Sequence, residues 1–237
     1  MEQKKRQDFE IKRFFLVSAI SSFLKMIRLY FFCHRGRERS VIARVIAEYE
    51  AKRLGIEDIV ISSGGLREPR ISDIEQWVQI ALIERGYEIG DITPQKADRE
   101  ELLKQTLILG FERSHVRKLV RECPAIRDKI DTLTSYLGQS KKDIYSPSEL
   151  PIFKIFRVLP FKYYCGLGRR MAYAGVTGTT FGVSYYEKTI MSQLYSGMFD
   201  EIEDYVKQLM GKIKKEIVDK TKSDSDIGSV TSNIRIH

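Results

Sequence analysis

Phe31 to Ser40 read FFCHRGRERS, one thiol followed by three arginines, with Arg39 six positions beyond Cys33 and Ser40 directly after it. A thiolate attacks phosphorus, a guanidinium can hold two phosphoryl oxygens in a bidentate fork, and a hydroxyl can donate a hydrogen bond to sulfur. Cys33, Arg39 and Ser40 therefore have the types that phosphoryl transfer needs. They would meet if a strand ended at Cys33 and a helix opened at Ser40. The intervening amides of His34, Arg35, Gly36, Arg37, Glu38 and Arg39 could then turn inward as an anion nest facing the positive end of that helix. The same field favours the thiolate. Without that placement the spacing describes only a basic surface turn carrying an inert thiol.

Few other residues offer chemistry. The three cysteines of the 237-residue chain are too few and too scattered for a disulfide framework, and no CxxC or Cys/His spacing suggests zinc. A reducing, cytoplasmic setting is expected, with no metal or cofactor. Cys123 and Cys165 read as structural cysteines, with a resolving-thiol role as the alternative. His115 reads as structural or surface, and His34 as a backbone donor of the loop. Forty Lys and Arg against 32 Asp and Glu give a net charge of +8, which favours anionic partners such as a phosphorylated protein or a small phosphomonoester. Nucleic acid is not expected, because no RNP, zinc or helix-turn-helix pattern accompanies the charge.

The elements that must position the loop follow from the apolar pattern of a chain 43% hydrophobic and 30% charged. From Met26 onward, strand-like runs alternate with helical periodicity, the signature of an α/β domain with a parallel sheet. IRLYFFC (Ile27 to Cys33) reads as the first strand, and SVIARVIAEYEAKRLG as a helix with Val41, Val45, Tyr49 and Lys52 on successive turns and Gly55 at its end. DIVISSGG is a second strand with a glycine turn. A capping box at Ser72 and Glu75 opens a helix to about Gly86, TLILGF is a third strand, SHVRKLVREC a basic helix and IDTLTSYL a fourth strand. Ser184 and Glu187 again have capping-box spacing, before a periodic helix in which Gly197 marks a bend.

Residues 1–25 form an N-terminal extension that reads as a helix packed on the domain. Its apolar run Phe14 to Leu24 is shorter than the roughly 20 residues a membrane span needs, so a secretory signal or an interfacial helix with peripheral membrane contact through 9–24 are the alternatives. Residues 26–218 form one domain, interrupted at about 145–180 by an insertion dense in aromatics, bases and glycines. That insertion reads as a folded cap burying its own aromatics. A patternless tail, 219–237, is expected to be disordered.

CHRGRERS, SSGG, LLKQTLILGFERSH and DTLTSYLG resemble, in order, the conserved segments of the low-molecular-weight protein tyrosine phosphatases. The resemblance covers roughly 27–144 and 181–217. It implies a three-layer fold with a four-stranded parallel sheet in flavodoxin-like, doubly wound order. It also implies hydrolysis of phosphotyrosine or similar phosphomonoesters through a phosphocysteine at Cys33, without a metal. Arg39 and the loop amides would bind the phosphoryl group and Ser40 would tune the thiol. Arsenate reductases share this fold and loop.

Two departures stand out. Arg35, Gly36 and Glu38 replace the Gly, Asn and second Cys of the family's C-x-G-N-x-C-R-S loop. Glu38 adds negative charge beside an anion site unless it turns outward or pairs with Arg35 or Arg37. The family's general acid is the Asp of an Asp-Pro pair after the fourth strand, whereas KKDIYSPSEL has Ser146-Pro147 there, leaving Asp143 and then Glu149 as the nearest carboxylates. A site that has lost this acid suggests a second reading, a degenerate phosphatase that binds phosphorylated partners without turnover.

Overall fold

A strand covered on both faces is apolar at nearly every position, as IRLYFFC is. In the computed structural model, which describes residues 26–69, 71, 73–139, 142–147 and 180–231, it forms the central strand β1, Ile27–Cys33. Strand β2 (Ile59–Gly65) pairs on one side of it, β3 (Leu107–Gly110) on the other, and β4 (Ile130–Thr132) lies beyond β3. All pairings are parallel and the order is β2-β1-β3-β4. The chain leaves β1 towards β2 and returns to β3 on its other side, so the carboxyl end of β1 is the switch point where doubly wound sheets bind ligands. Cys33 is the last residue of that strand.

Alternation along β1 builds the layers. Leu29, Phe31 and Cys33 join Val41, Val45, Val78, Leu82 and Phe199 in the core on one face, while Tyr30 and Phe32 join Leu102, Leu119, Cys123 and Ile126 on the other. Helix α1 (Arg39–Leu54) begins at the expected loop and ends at Gly55, whose φ of 62° lets its N–H reach back to the carbonyls of Ala51 and Lys52. Val41 and Val45 are buried as expected, but Tyr49 is 49% exposed and Lys52 lies at the surface. The buried stripe runs instead through Ile42, Ile46, Ala47, Glu50 and Ala51.

Helix α2 (Gln76–Glu84) starts later than the capping-box spacing predicts. Tertiary contacts explain the delay: the Glu75 amide donates to the Arg37 carbonyl at 3.2 Å, and Arg37 Nε donates to the Asp73 carbonyl at 2.6 Å. The backbone at 73–75 thus serves the loop before helix can begin. A short helix without a sequence forecast, α3 (Arg99–Lys104), is capped by Asp98, which accepts from the Glu101 amide. Helix α4 (Arg113–Glu122) is the basic helix, followed by a 3-10 turn over Pro124–Lys129.

The predicted fourth strand is cut short. After Thr132 the chain turns into α5 (Leu133–Tyr136), because the Thr132 hydroxyl accepts the Ser135 amide at 3.2 Å and Asp131 accepts the Ser135 hydroxyl. Local side-chain caps here outweigh an apolar run that fits a strand. Helix α6 spans Thr180–Thr231, passing without a break through Ser184, Gly197 and Asp219. Its Met198, Phe199, Ile202, Val206, Leu209 and Ile213 join the core on the α1 face. The N-terminal extension, most of the 145–180 insertion and residues 232–237 lie outside the described residues. Among the described residues no helix is long and apolar enough to cross a membrane.

Candidate active site

The loop between β1 and α1 is seated by glycines on both sides. Gly36 adopts φ 70°, and a Cβ there would stand 2.8 Å from the Gly64 carbonyl carbon and the Gly65 nitrogen. A Cβ on Gly65 would stand 2.4 Å from the Arg35 carbonyl carbon. The loop therefore rests backbone to backbone on the end of β2. Gly36 stands where the family pattern has Asn, and these are the two residue types that enter the left-handed region most readily, so the exchange keeps the turn.

Hydrogen bonds then orient the peptides. The carbonyls of Cys33, His34 and Arg37 accept from the amides of Leu66, Arg67 and Glu75 on the surrounding chain. These peptides are trans, as all are among the described residues, so the amides of the same planes, on His34, Arg35 and Glu38, point the opposite way, as a nest requires. The Glu38 carbonyl accepts from Val41 and Ile42 and starts α1. Arg37 is further tied to Glu75 by an ion pair at 3.4 Å.

Cys33, Arg39 and Ser40 are brought together and are all buried. Cys33 Sγ lies 3.2 Å from Ser40 Oγ. Arg39 is fully buried, stacks over the Phe111 ring at 5.9 Å, and donates from Nη1 to Glu112 Oε1 at 2.5 Å and to the Ile144 carbonyl at 2.6 Å. Burial raises the Glu112 carboxyl, but the hydrogen bond and charge of Arg39 outweigh it and hold the group below the usual carboxylate range. Glu112 was no candidate from its neighbours in sequence. The signal that could have found it is the requirement that a buried arginine be paired, combined with the place of Glu112 just past the carboxyl end of β3, beside β1.

A strip of chain after α5, residues 142–147, closes over this arrangement. The Thr134 hydroxyl donates to the Lys142 carbonyl and the Ile144 amide to the Phe111 carbonyl. Asp143 accepts from the Arg113 amide at 3.0 Å and from its Nε at 3.2 Å, and Tyr145 donates to its other oxygen. Burial pushes the Asp143 carboxyl up, yet the bonds from Arg113 win and hold it below its ordinary value. Asp143 is thus braced to the start of α4 as an anion. The carboxylate Oε2 of Glu38 accepts from the fully buried Ser146 hydroxyl.

Two imidazoles border the loop. The His34 ring lies 5.6 Å from that of His115, whose Nε2 is 3.8 Å from Glu112 Oε2. Burial lowers His115 to about 4, with Glu112 opposing and Arg39 adding to the shift, and burial followed by the charges of Arg67 and Arg35 lowers His34. Both rings are neutral at pH 7. Cys123 lies in the core on the other face of the sheet from Cys33, and Cys165 and Glu149 fall outside the described residues. Among the described residues no cluster of His, Cys, Asp and Glu is placed to hold a metal ion.

Solved structures share this architecture. YwlE arginine phosphatase from Geobacillus stearothermophilus is 18% identical with a TM-score of 0.59, over 81% of this chain and 96% of that one. A YwlE mutant with a phosphorylated active site serine is 17% identical with a TM-score of 0.59, over 80% and 97%. The low-molecular-weight protein tyrosine phosphatase from T. tengcongensis is 22% identical with a TM-score of 0.57, over 78% and 99%. At these identities the likeness establishes the fold. A search of curated protein sequences returns no match. The profile of the family described as low molecular weight phosphotyrosine protein phosphatase matches residues 28–157, more than half of the chain and all of the loop, and the chain therefore belongs to that family of phosphatases.

Proposed function

We propose that this phosphatase hydrolyses phosphotyrosine or a similar phosphomonoester through a phosphocysteine at Cys33. The observation that carries the reading is the 3.2 Å contact between Cys33 Sγ and Ser40 Oγ at the switch point of the sheet, with Arg39 locked beside it. The thiolate attacks phosphorus, the ester oxygen departs, and water then breaks the S–P bond to release phosphate and regenerate the thiolate. Ser40, donating to sulfur, stabilises the thiolate as nucleophile and leaving group. Glu112 and the Ile144 carbonyl fix the Arg39 fork in one plane before substrate arrives, so its charge needs no reorganisation in the transition state. The amides of His34 to Arg39 hold the equatorial oxygens.

The similar YwlE mutant whose active site serine is phosphorylated supports a covalent phosphoryl-enzyme on this fold. A thiol relay of the arsenate reductase kind draws no support from Cys123, which packs with Tyr30 and Phe32 on the opposite face. The test is hydrolysis of p-nitrophenyl phosphate and of a phosphotyrosine peptide, with vanadate as inhibitor. Wild-type protein should turn over and, after acid quench, carry phosphate on Cys33 by mass spectrometry. Cys33→Ser should lose turnover while still binding vanadate. Full activity in Cys33→Ser would overturn the proposal, and vanadate binding without any wild-type turnover would favour the binding-only reading.

A further inference from the structure

We propose that Arg67 and Lys118, with Arg35, form a second anion subsite beside the cradle, which selects phosphomonoesters carrying another anionic group next to the phosphoryl ester. The inference rests on the phosphatase reading above and names the kind of substrate that site takes. Three separate elements deliver the three cations to one place, the His34 side of the loop. Arg35 is the loop residue after His34, and its carbonyl carbon is 2.4 Å from where a Cβ on Gly65 would stand. The chain leaving β2 then runs alongside the loop. The Leu66 amide donates to the Cys33 carbonyl at 3.0 Å and the Arg67 amide to the His34 carbonyl at 3.1 Å. Lys118 comes from α4. It stands one helical turn after His115, on the same face, and the His115 ring lies 5.6 Å from the His34 ring.

The charge they bring is not cancelled locally. Among the described residues Arg35 and Arg67 have no ion-pair partner, and Lys118 has a long contact of 3.9 Å to Glu122 along the helix surface. Burial is the main reason that the His34 imidazole titrates below its ordinary value, and the next contributions come from Arg67, Arg35, Lys118 and Arg39, all cationic. The neutral ring thus stands in a field of one sign. The other flank of the loop is built differently, for Arg37 is tied to Glu75 at 3.4 Å and to the Asp73 carbonyl at 2.6 Å. Like charges gathered without counter-charge repel one another, and a cleft wall of one sign concentrates ligands of the other.

Arg67 is exposed and Arg35 and Lys118 are half-buried, so all three are open to a ligand arriving from solvent. In the phosphatase reading the loop amides and Arg39 hold the phosphoryl group itself, which leaves the cations beside His34 for a different anionic group. Two chemical sources supply one: a carboxylate side chain flanking a phosphotyrosine in a peptide, and a second phosphate on a small ester. Either matches the fork of a guanidinium.

The experiment measures kcat/KM on two matched pairs of substrates. One is a phosphotyrosine peptide flanked by glutamates against the same peptide flanked by glutamines, and the other is resorcinol bisphosphate against phenyl phosphate. Wild-type turnover that Cys33→Ser abolishes is established first with p-nitrophenyl phosphate, and its absence would overturn the phosphatase reading and this one with it. The more anionic member of at least one pair should be favoured about five- to tenfold in low salt, the size that two partly exposed ion pairs give. That advantage should vanish in about 1 M salt, where the screening length falls to about 3 Å. Preference among the peptides alone marks carboxylates as the second group, and preference among the phenyl esters alone marks a second phosphate; either supports the subsite. Arg67→Gln/Lys118→Gln should remove the preference and leave kcat on p-nitrophenyl phosphate unchanged, because that ester has no second anion. Lys52→Gln/Lys215→Gln removes the same charge at the far end of α1, where Lys214 reaches the Gly55 carbonyl, and should keep the preference. Equal turnover within both pairs, with p-nitrophenyl phosphate hydrolysis intact, would overturn the subsite alone. So would a preference that both double variants lower equally, since that traces it to the net charge of the chain.

Discussion

The loop from Cys33 to Ser40 and the strip from Lys142 to Pro147 meet where Arg39 donates to the Ile144 carbonyl and Ser146 to Glu38, yet they are held by different means. The loop is seated by backbone: glycine against glycine at the end of β2, and its carbonyls on the amides of Leu66, Arg67 and Glu75. Its ends are a strand and a helix whose cores are buried. The strip is irregular from Lys142 to Ser146 and hangs on polar contacts with residues distant in sequence, from Phe111 and Arg113 to Arg39 and Glu38. A cradle must keep its amides fixed through both steps of the proposed reaction. The strip only has to present a carbonyl and a hydroxyl, and side-chain bonds suffice for that.

The deepest break comes where both regions share an anchor. Glu112→Ala would leave the Arg39 guanidinium buried without that counter-charge, and losing one partner of a buried pair costs about 3–5 kcal/mol. Chemical denaturation should show a loss of that order, and turnover should fall with it, since the fork proposed to grip phosphate loses its brace. A melting curve indistinguishable from wild type would mean that the pair does not hold the two regions together.

Gly65→Ala strikes the loop alone. A Cβ 2.4 Å from the Arg35 carbonyl carbon forces the loop off β2, and such overpacking costs about 1–3 kcal/mol. Vanadate affinity should drop even where the protein remains folded. Unchanged affinity would show that the cradle tolerates displacement and that the glycine interlock is dispensable.

Asp143→Asn strikes the strip alone and should be the mildest, about 1 kcal/mol, as fits a partly exposed ion pair. Its signature is in pH. The Asp143 pKa is lowered on folding, so its contribution is complete above the unfolded value near 3.8 and is lost as pH falls through the lower folded value. The variant and wild type should therefore differ in stability at neutral pH and converge in strong acid. A difference that persists undiminished at low pH would show that the brace is not ionic.

The loop was legible because its determinants are local. The apolar run Ile27 to Cys33, the helical periodicity beyond Ser40 and the six-residue spacing to Arg39 all lie within one strand-loop-helix unit, and α1 begins one residue from where they put it. The start of α2 was misread because Arg37, far away in sequence, takes up the Asp73 carbonyl and Glu75 amide. The fourth strand was overextended because hydrophobicity does not report a threonine cap at Thr132. The role of Glu112 was invisible for the same reason as the contacts of Asp143. Each depends on which strands are neighbours in a parallel sheet, and the crossovers separate such neighbours by whole helices.

By itself, the sequence determined the doubly wound sheet and the meeting of Cys33, Arg39 and Ser40 at the end of its first strand, because strand and helix periods are written in consecutive residues. Only the tertiary structure decided which carboxylates face that meeting point and what each is bonded to. Asp143 and Glu112 fell to arginines and Glu38 to a serine, since a hydrogen bond across the fold is fixed by the packing of layers and leaves no period in the chain.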